Sequence, residues 1–283
     1  MKAPVRLALG ASLIGFAPIF VRWINLDGLG PTAIGFWRLL LGGGMLVAWG
    51  RSLKAHPLHL VAGLFFAGDL FCWHRSVLTV GAGPGTLLAN TQVFWLGLFG
   101  ILFFGEKAGA RFCLSLLLGA AGIWLLSGRF DPARMDRTGL GYGLVTGAFY
   151  AGYLLTLRKA GGGLAGMALA SFSGALALGG MTWAEGHLAI PSGTALAKLA
   201  GLALVAQVLG WLLISGSLPE IPASRGGLIL LLQPVCATLW GCLLLGERLD
   251  GFQAAGAALT LAGVYLGALS RSTPGKQKEG ISI

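Results

Sequence analysis

The sequence predicts an all-α polytopic membrane protein, with ten transmembrane helices arranged as two inverted five-helix repeats. Three observations carry this expectation. The 283 residues are 55% hydrophobic and only 11% charged, with a mean hydropathy of +0.79, whereas a soluble domain is about 25% charged. So few charges cannot cover a water-facing surface, and lipid is the solvent that fits. The apolar residues also come in runs of about 20, the length of helix that crosses a bilayer. Finally, the closing stretches of the two halves repeat each other in register, each with a glutamine inside its apolar run.

The runs fall at roughly 5–22, 31–50, 58–79, 84–104, 109–127, 139–158, 164–183, 195–217, 223–245 and 251–270. The first follows Lys2 and Arg6 as a signal peptide would, but it continues without an A-x-A cleavage site and reads as a retained helix. Between runs stand turn and charge signals such as NLDGLGP, RSLKAHP, GRFDPARMDRT and LPEIPASRG. The break VGAGPG is nearly uncharged, so eight or nine spans is the alternative count. Residues 271–283 form a polar tail.

Ten spans place both termini on one side. That side carries Lys2, Arg6, Arg51, Lys54, Lys107, Arg111, Arg158, Lys159, Arg225, Arg271, Lys276 and Lys278. The other carries Arg22, Arg129, Arg134, Arg137, Lys198 and Arg248. This asymmetry favours termini in the cytoplasm. The net charge of +10 is scattered between apolar runs, which suits topology and lipid headgroups and argues against nucleic acid. Cys72, Cys113, Cys236 and Cys242 lie in apolar segments without metal spacing, and no disulfide framework is indicated. Among the 48 glycines, Gly139, Gly143 and Gly147 form a stripe with Ala151 that reads as a helix contact.

Aligning Gly105-Glu106-Lys107 with Gly246-Glu247-Arg248 brings Gln92 onto Gln233, Gly100 onto Gly241 and Gly122 onto Gly263 without a gap. The repeats are then 1–138 and 139–270. Five spans is an odd number, so the second copy enters the membrane upside down, and substrate sites in such proteins lie near the midplane between the halves. The stretch Q-P-V…LLLGERLDGFQAAGAALTLAGVYL resembles the closing signature of the drug/metabolite transporter superfamily, specifically its ten-helix EamA-type permeases. Overall the chain is similar to the bacterial aromatic amino acid exporters among them. The resemblance implies a small-solute carrier of the bacterial-type inner membrane that exports by alternating access, without an ATPase domain. Val93 stands where the second half has Pro234, so whether the fourth helix kinks like the ninth stays open.

Polar groups inside the runs are candidates for the cavity, because an ionisable group in hydrocarbon costs at least about 2.5–3.5 kcal/mol. In AGDLFCWHRS, Asp69, Trp73 and Ser76 share one helical face with Cys72 at its edge, while His74 points elsewhere. Asp69 and His74 are candidates for substrate contact or proton coupling, and Arg75 for the interface. Gln92 and Gln233 can both donate and accept hydrogen bonds, which suits a zwitterion or a neutral polar solute; Asn90 is expected on a different face. Arg38 could neutralise a substrate carboxylate but is read in favour of a headgroup phosphate. Tyr150, Tyr153, Trp73 and Trp211 lie deep enough to stack on a substrate.

No paired acids, HExxH, positioned nucleophile or metal cluster supports an enzyme, and no cofactor is expected. The leading function is export of small organic solutes, foremost amino acids with large or aromatic side chains. The alternatives are another metabolite, a drug-like cation, or a channel-like facilitator. A cysteine at either terminus of a variant lacking the native four is expected to resist labelling by a membrane-impermeant reagent in intact cells; periplasmic labelling would overturn the topology.

Overall fold

The computed structural model describes residues 1–50, 55–80, 88–104, 109–126, 136–245 and 250–269. Residues 81–85 of the VGAGPG break, both Gly-Glu-basic triplets, the basic loop 127–135 and the tail 271–283 lie outside them. Every regular element among the described residues is helical. The helices are α1 Ala3–Ile14, α2 Ala17–Leu26, α3 Pro31–Trp49, α4 Leu58–Val80, α5 Gln92–Phe104, α6 Ala110–Leu126, α7 Arg137–Ala160 and α8 Leu164–Ala184. Then come α9 Gly193–Leu202, a π-helical stretch Ala203–Gly210, α10 Trp211–Ser215, a 3₁₀ turn Leu218–Glu220, α11 Ala223–Leu230, α12 Leu232–Leu245 and α13 Gly251–Leu269.

Local chemistry sets several of these boundaries. Pro31 opens α3 at a position where a helical N–H has no partner to lose. Asp136 caps α7 by accepting from the Gly139 N–H at 2.7 Å. Gly161, at φ 84°, ends the same helix in a backbone conformation that side chains disfavour.

Six segments among the described residues are long and apolar enough to cross a membrane: Ala3–Leu26, Pro31–Trp49, Arg137–Ala160, Leu164–Ala184, Gly193–Glu220 and Ala223–Leu244. The 23-residue α4 has the length but not the composition, because it carries Asp69, His74 and Arg75. The distribution of side chains suits an apolar solvent. Leu102, Phe103, Leu176 and Leu243 stand exposed, while Arg38, Asp69, His74, Gln92 and Gln207 are buried. A water-soluble protein does the reverse.

The helices pack in a pattern that crosses the two halves. Helix α4 lies along α7 and α8, α3 along α8, α6 along α13, and α5 against α11; α1 meets the π stretch, α10, α11 and α12. Two of these crossings are reciprocal. A Cβ on Gly43 would meet the Phe172 ring at 3.1 Å, and one on Gly179 would meet the Phe36 ring at 3.0 Å. Between α6 and α13, Gly122 faces Thr260 and the Gly256 carbonyl, while Gly263 faces Gly119 and the Ser115 carbonyl. The separation along the chain is the one that aligns Gln92 with Gln233. The stripe Gly139, Gly143, Gly147 and Ala151 is buried as a helix contact, with Gly143 on Leu88 and Ser76 and Gly147 on Thr91.

Close backbone approach is the use of such glycines, since lipid supplies no hydrophobic drive between helices. At the α4–α8 crossing a Cβ on Gly63 would collide with the Ala170 carbonyl and stand 2.8 Å from the Ser173 Cβ. Gly63→Leu is therefore expected to destabilise by about 1–3 kcal/mol or more, read as a lower thermal midpoint in detergent. Gly44→Ala, with open space around its Cα, is expected to leave the midpoint unchanged or to raise it.

Candidate functional site

Three interrupted helices meet in the interior. The first breaks between α1 and α2, where Pro18 has no N–H for the Ile14 carbonyl. The last breaks between α11 and α12, where Pro234 likewise has none for the Leu230 carbonyl. The middle one breaks just before α5 without a proline: the chain turns at Asn90 and Thr91, and the Thr91 hydroxyl donates to the Leu88 carbonyl at 2.6 Å. Such side-chain bonds compete with the helical ladder. At all three places a backbone N–H reaches back three residues, from Phe16 to Leu13, Thr91 to Leu88 and Leu231 to Leu228, each at 3.1 Å. The break before α5 thus falls within one residue of the position that aligns with the break between α11 and α12.

A cavity of about 70 Å³ lies where these breaks converge, touched by Ile14, Ala17 and Pro18, by Ala89 and Asn90, and by Gln233 and Pro234. The remaining wall comes from α3, α4, α7 and α10 through Arg38, Phe66, Asp69, Leu70, Trp73, Tyr150 and Trp211. Of the residues singled out in the sequence, Asp69, Trp73, Tyr150, Trp211 and Gln233 line this space together. The Gln233 amide donates to the Tyr150 hydroxyl at 2.7 Å. Asp69 and Trp73 sit one turn apart, as the helical spacing requires, and Ser76, one turn further, donates to the Gly139 carbonyl at 3.0 Å.

Three other candidates are not among the lining residues. Tyr153 lies behind the wall, stacked on Phe66 at 4.3 Å and edge-on to Trp211 at 4.6 Å. His74 is buried against the Trp73 ring and toward Gly35 of α3. Gln92 is fully buried at the start of α5, beside Gly147, and its amide bonds to no group among the described residues. Asn90, two residues earlier and on the other face, reaches the cavity instead.

Arg38 corrects the sequence reading. It is 2% exposed, far from a headgroup position, and its Nε donates to Gln207 Oε1 at 3.3 Å. Gln207 in turn donates through Nε2 to Ser171 Oγ at 3.0 Å. The guanidinium lies 5.5 Å from the centre of the Phe66 ring. Gln207 sits in the π stretch, the kind of helical defect that often marks function, and it packs onto Gly42, where a Cβ would not fit. Arg38 and Asp69 share the cavity and interact electrostatically. A third glutamine deep in an apolar run was visible in the sequence; its partner, 169 residues away, was not.

Arg75 is at a helix end, as expected, but it is held by protein. It pairs with Glu185, donates to Thr32 Oγ1 at 3.0 Å and lies 3.5 Å from the centre of the Phe71 ring. This ties the end of α4 to the start of α3 and the end of α8. Lys198 pairs with Asp27 at 2.8 Å, and Arg6 pairs with Glu220.

The sequence profile of the EamA-like transporter family matches residues 137–268. An uncharacterised protein of Pseudomonas aeruginosa is 31% identical over 77% of this chain and 77% of its own. The uncharacterised transporter YwfM of Bacillus subtilis is 27% identical over 88% of this chain and 86% of its own. The threonine/homoserine exporter RhtA of Escherichia coli K12 is 28% identical over 97% of this chain and 92% of its own. One crystal structure, 17% identical, superposes with a TM-score of 0.80 over 94% of this chain and 98% of its own, a likeness of fold.

The Tyr150–Gln233 bond joins α7 to α12 across the cavity. In a double-mutant cycle of Tyr150→Phe and Gln233→Leu, thermal stability is expected to show a coupling of roughly 0.5–1.5 kcal/mol. Additive losses would mean that the bond contributes nothing.

Proposed function

The chain belongs to the EamA-like transporter family, and on that premise we propose that it is a secondary transporter exporting amino acids with large or aromatic side chains. Transport proceeds by alternating access through the cavity, between inverted five-helix repeats spanning residues 1–138 and 139–270. It works in a bacterial-type inner membrane with both termini in the cytoplasm.

The observation that carries this reading is the convergence of three broken helices on one cavity lined by Asp69, Arg38, Gln233 and aromatic rings. Interrupted helices are tolerated at membrane depth where they line a cavity, and they offer a solute the backbone groups that the ladder no longer uses. The reciprocal crossings of α3 with α8 and of α6 with α13 support the repeats, because exchanging the two halves returns the same contacts. Aromatic side chains in the wall, Phe66, Trp73, Tyr150 and Trp211, suit a large apolar side chain. Ion pairs near helix ends, Arg75–Glu185, Lys198–Asp27 and Arg6–Glu220, are contacts that an alternating carrier could exchange as it rocks.

A second reading is export of small hydroxylated amino acids. It is favoured by the name of the threonine/homoserine exporter relatives and by a cavity of only about 70 Å³.

Purified protein in liposomes separates these. Unlabelled phenylalanine or tryptophan inside the vesicles is expected to drive saturable uptake of the labelled amino acid, and Gln233→Ala to slow it several-fold at unchanged membrane abundance. Counterflow driven by threonine or homoserine alone would replace the first reading with the second. Unitary currents without saturation would make the protein a channel-like facilitator, and counterflow by organic cations alone would overturn both readings.

A further inference from the structure

Arg38 and Asp69 face one cavity from neighbouring helices, α3 and α4. Neither is placed by accident. Arg38 is held by Gln207, which is itself held by Ser171, and Asp69 is fixed on α4 one turn before Trp73 of the same wall. The two are of opposite formal charge, so the ionised pair leaves the cavity without net charge.

Further donors are carried by the rings around Phe66. The Arg38 guanidinium lies over the Phe66 ring at 5.5 Å, Tyr153 stacks on that ring at 4.3 Å, and Trp211 meets it edge-on at 5.1 Å. The Tyr153 hydroxyl and the Trp211 indole N–H are buried and bond to no group among the described residues. Buried donors left without an acceptor are costly and rare in native structures. Of these two residues Trp211 lines the cavity, and a carboxylate drawn to Arg38 has a lone pair for its N–H. Asp69, with the Gln233 side chain on the same wall, offers acceptors to an ammonium group.

We propose that the cavity recognises the zwitterion of an amino acid. Arg38 takes the α-carboxylate, with Trp211 as a further donor, and Asp69 takes the α-ammonium. This rests on the amino acid reading above and adds the selection rule that goes with it. A substrate that keeps one charge and loses the other leaves Asp69 or Arg38 buried beside an unmatched group, which a low-dielectric site penalises.

The test uses the intact protein in proteoliposomes and three compounds with one side chain: phenylalanine, its amide, which keeps only the ammonium, and N-acetylphenylalanine, which keeps only the carboxylate. Only the zwitterion is expected to drive counterflow of labelled phenylalanine, with both derivatives at least about tenfold weaker. Where threonine is the amino acid transported, its amide and N-acetyl derivative take their places. Asp69→Asn is expected to relax rejection of the N-acetyl compound alone, and Arg38→Gln that of the amide alone. The parent protein decides the matter even where a variant fails to fold. If the amino acid is transported but either derivative drives counterflow within about threefold of it, the zwitterion site falls and the carrier stands. If no amino acid drives counterflow, the amino acid reading falls and takes this proposal with it.

Discussion

Hydrocarbon cannot hydrogen-bond, and the rest of this structure answers to that constraint. A backbone polar group facing lipid has no partner outside its own helix, and the exposed side chains of the described helices include many leucines and phenylalanines. Among the described residues the breaks within the membrane-length segments lie inside the protein. Breaks at Gly15–Phe16, Asn90–Thr91 and Leu231 border one cavity. The π stretch Ala203–Gly210 is interior for the same reason and brings Gln207 to Arg38.

Without a hydrophobic effect between helices, cohesion depends on how closely backbones approach. Gly122 and Gly263 at the α6–α13 crossing and Gly63 and Gly174 at the α4–α8 crossing leave no room for a Cβ, each standing against backbone of the facing helix. Gly42 serves the site more directly, since its missing side chain leaves the space that Gln207 fills. Packing and polar positioning are here one device. A helix that could not come so close would leave Arg38 without the amide that orients it.

The sequence register that pairs the two glutamines does not extend to their surroundings. Gln92 and Gln233 occupy matching positions, yet Gln233 faces the cavity while Gln92 is sealed beside α7. Asp69 and Arg38 both come from the first half. The interior is thus asymmetric, with both charged residues of the cavity supplied by one half.

Much of this was legible in the chain. Hydropathy and segment length gave an all-helical membrane protein, since composition decides the solvent. Helical spacing gave the shared face of Asp69 and Trp73, and the register of the repeat led to Gln233. The depth of Arg38 was not legible, because an arginine eight residues into an apolar helix can either snorkel or turn inward, and only its neighbours choose. Those neighbours, Gln207 and Ser171, are distant in sequence and marked by no motif. Nor could periodicity say which of Asn90 and Gln92 faces inward, because the helix breaks between them and resets the count. Local pattern reports the direction of a side chain within its own helix. What that direction meets depends on how helices cross, and the crossing is set by contacts between residues far apart in the chain.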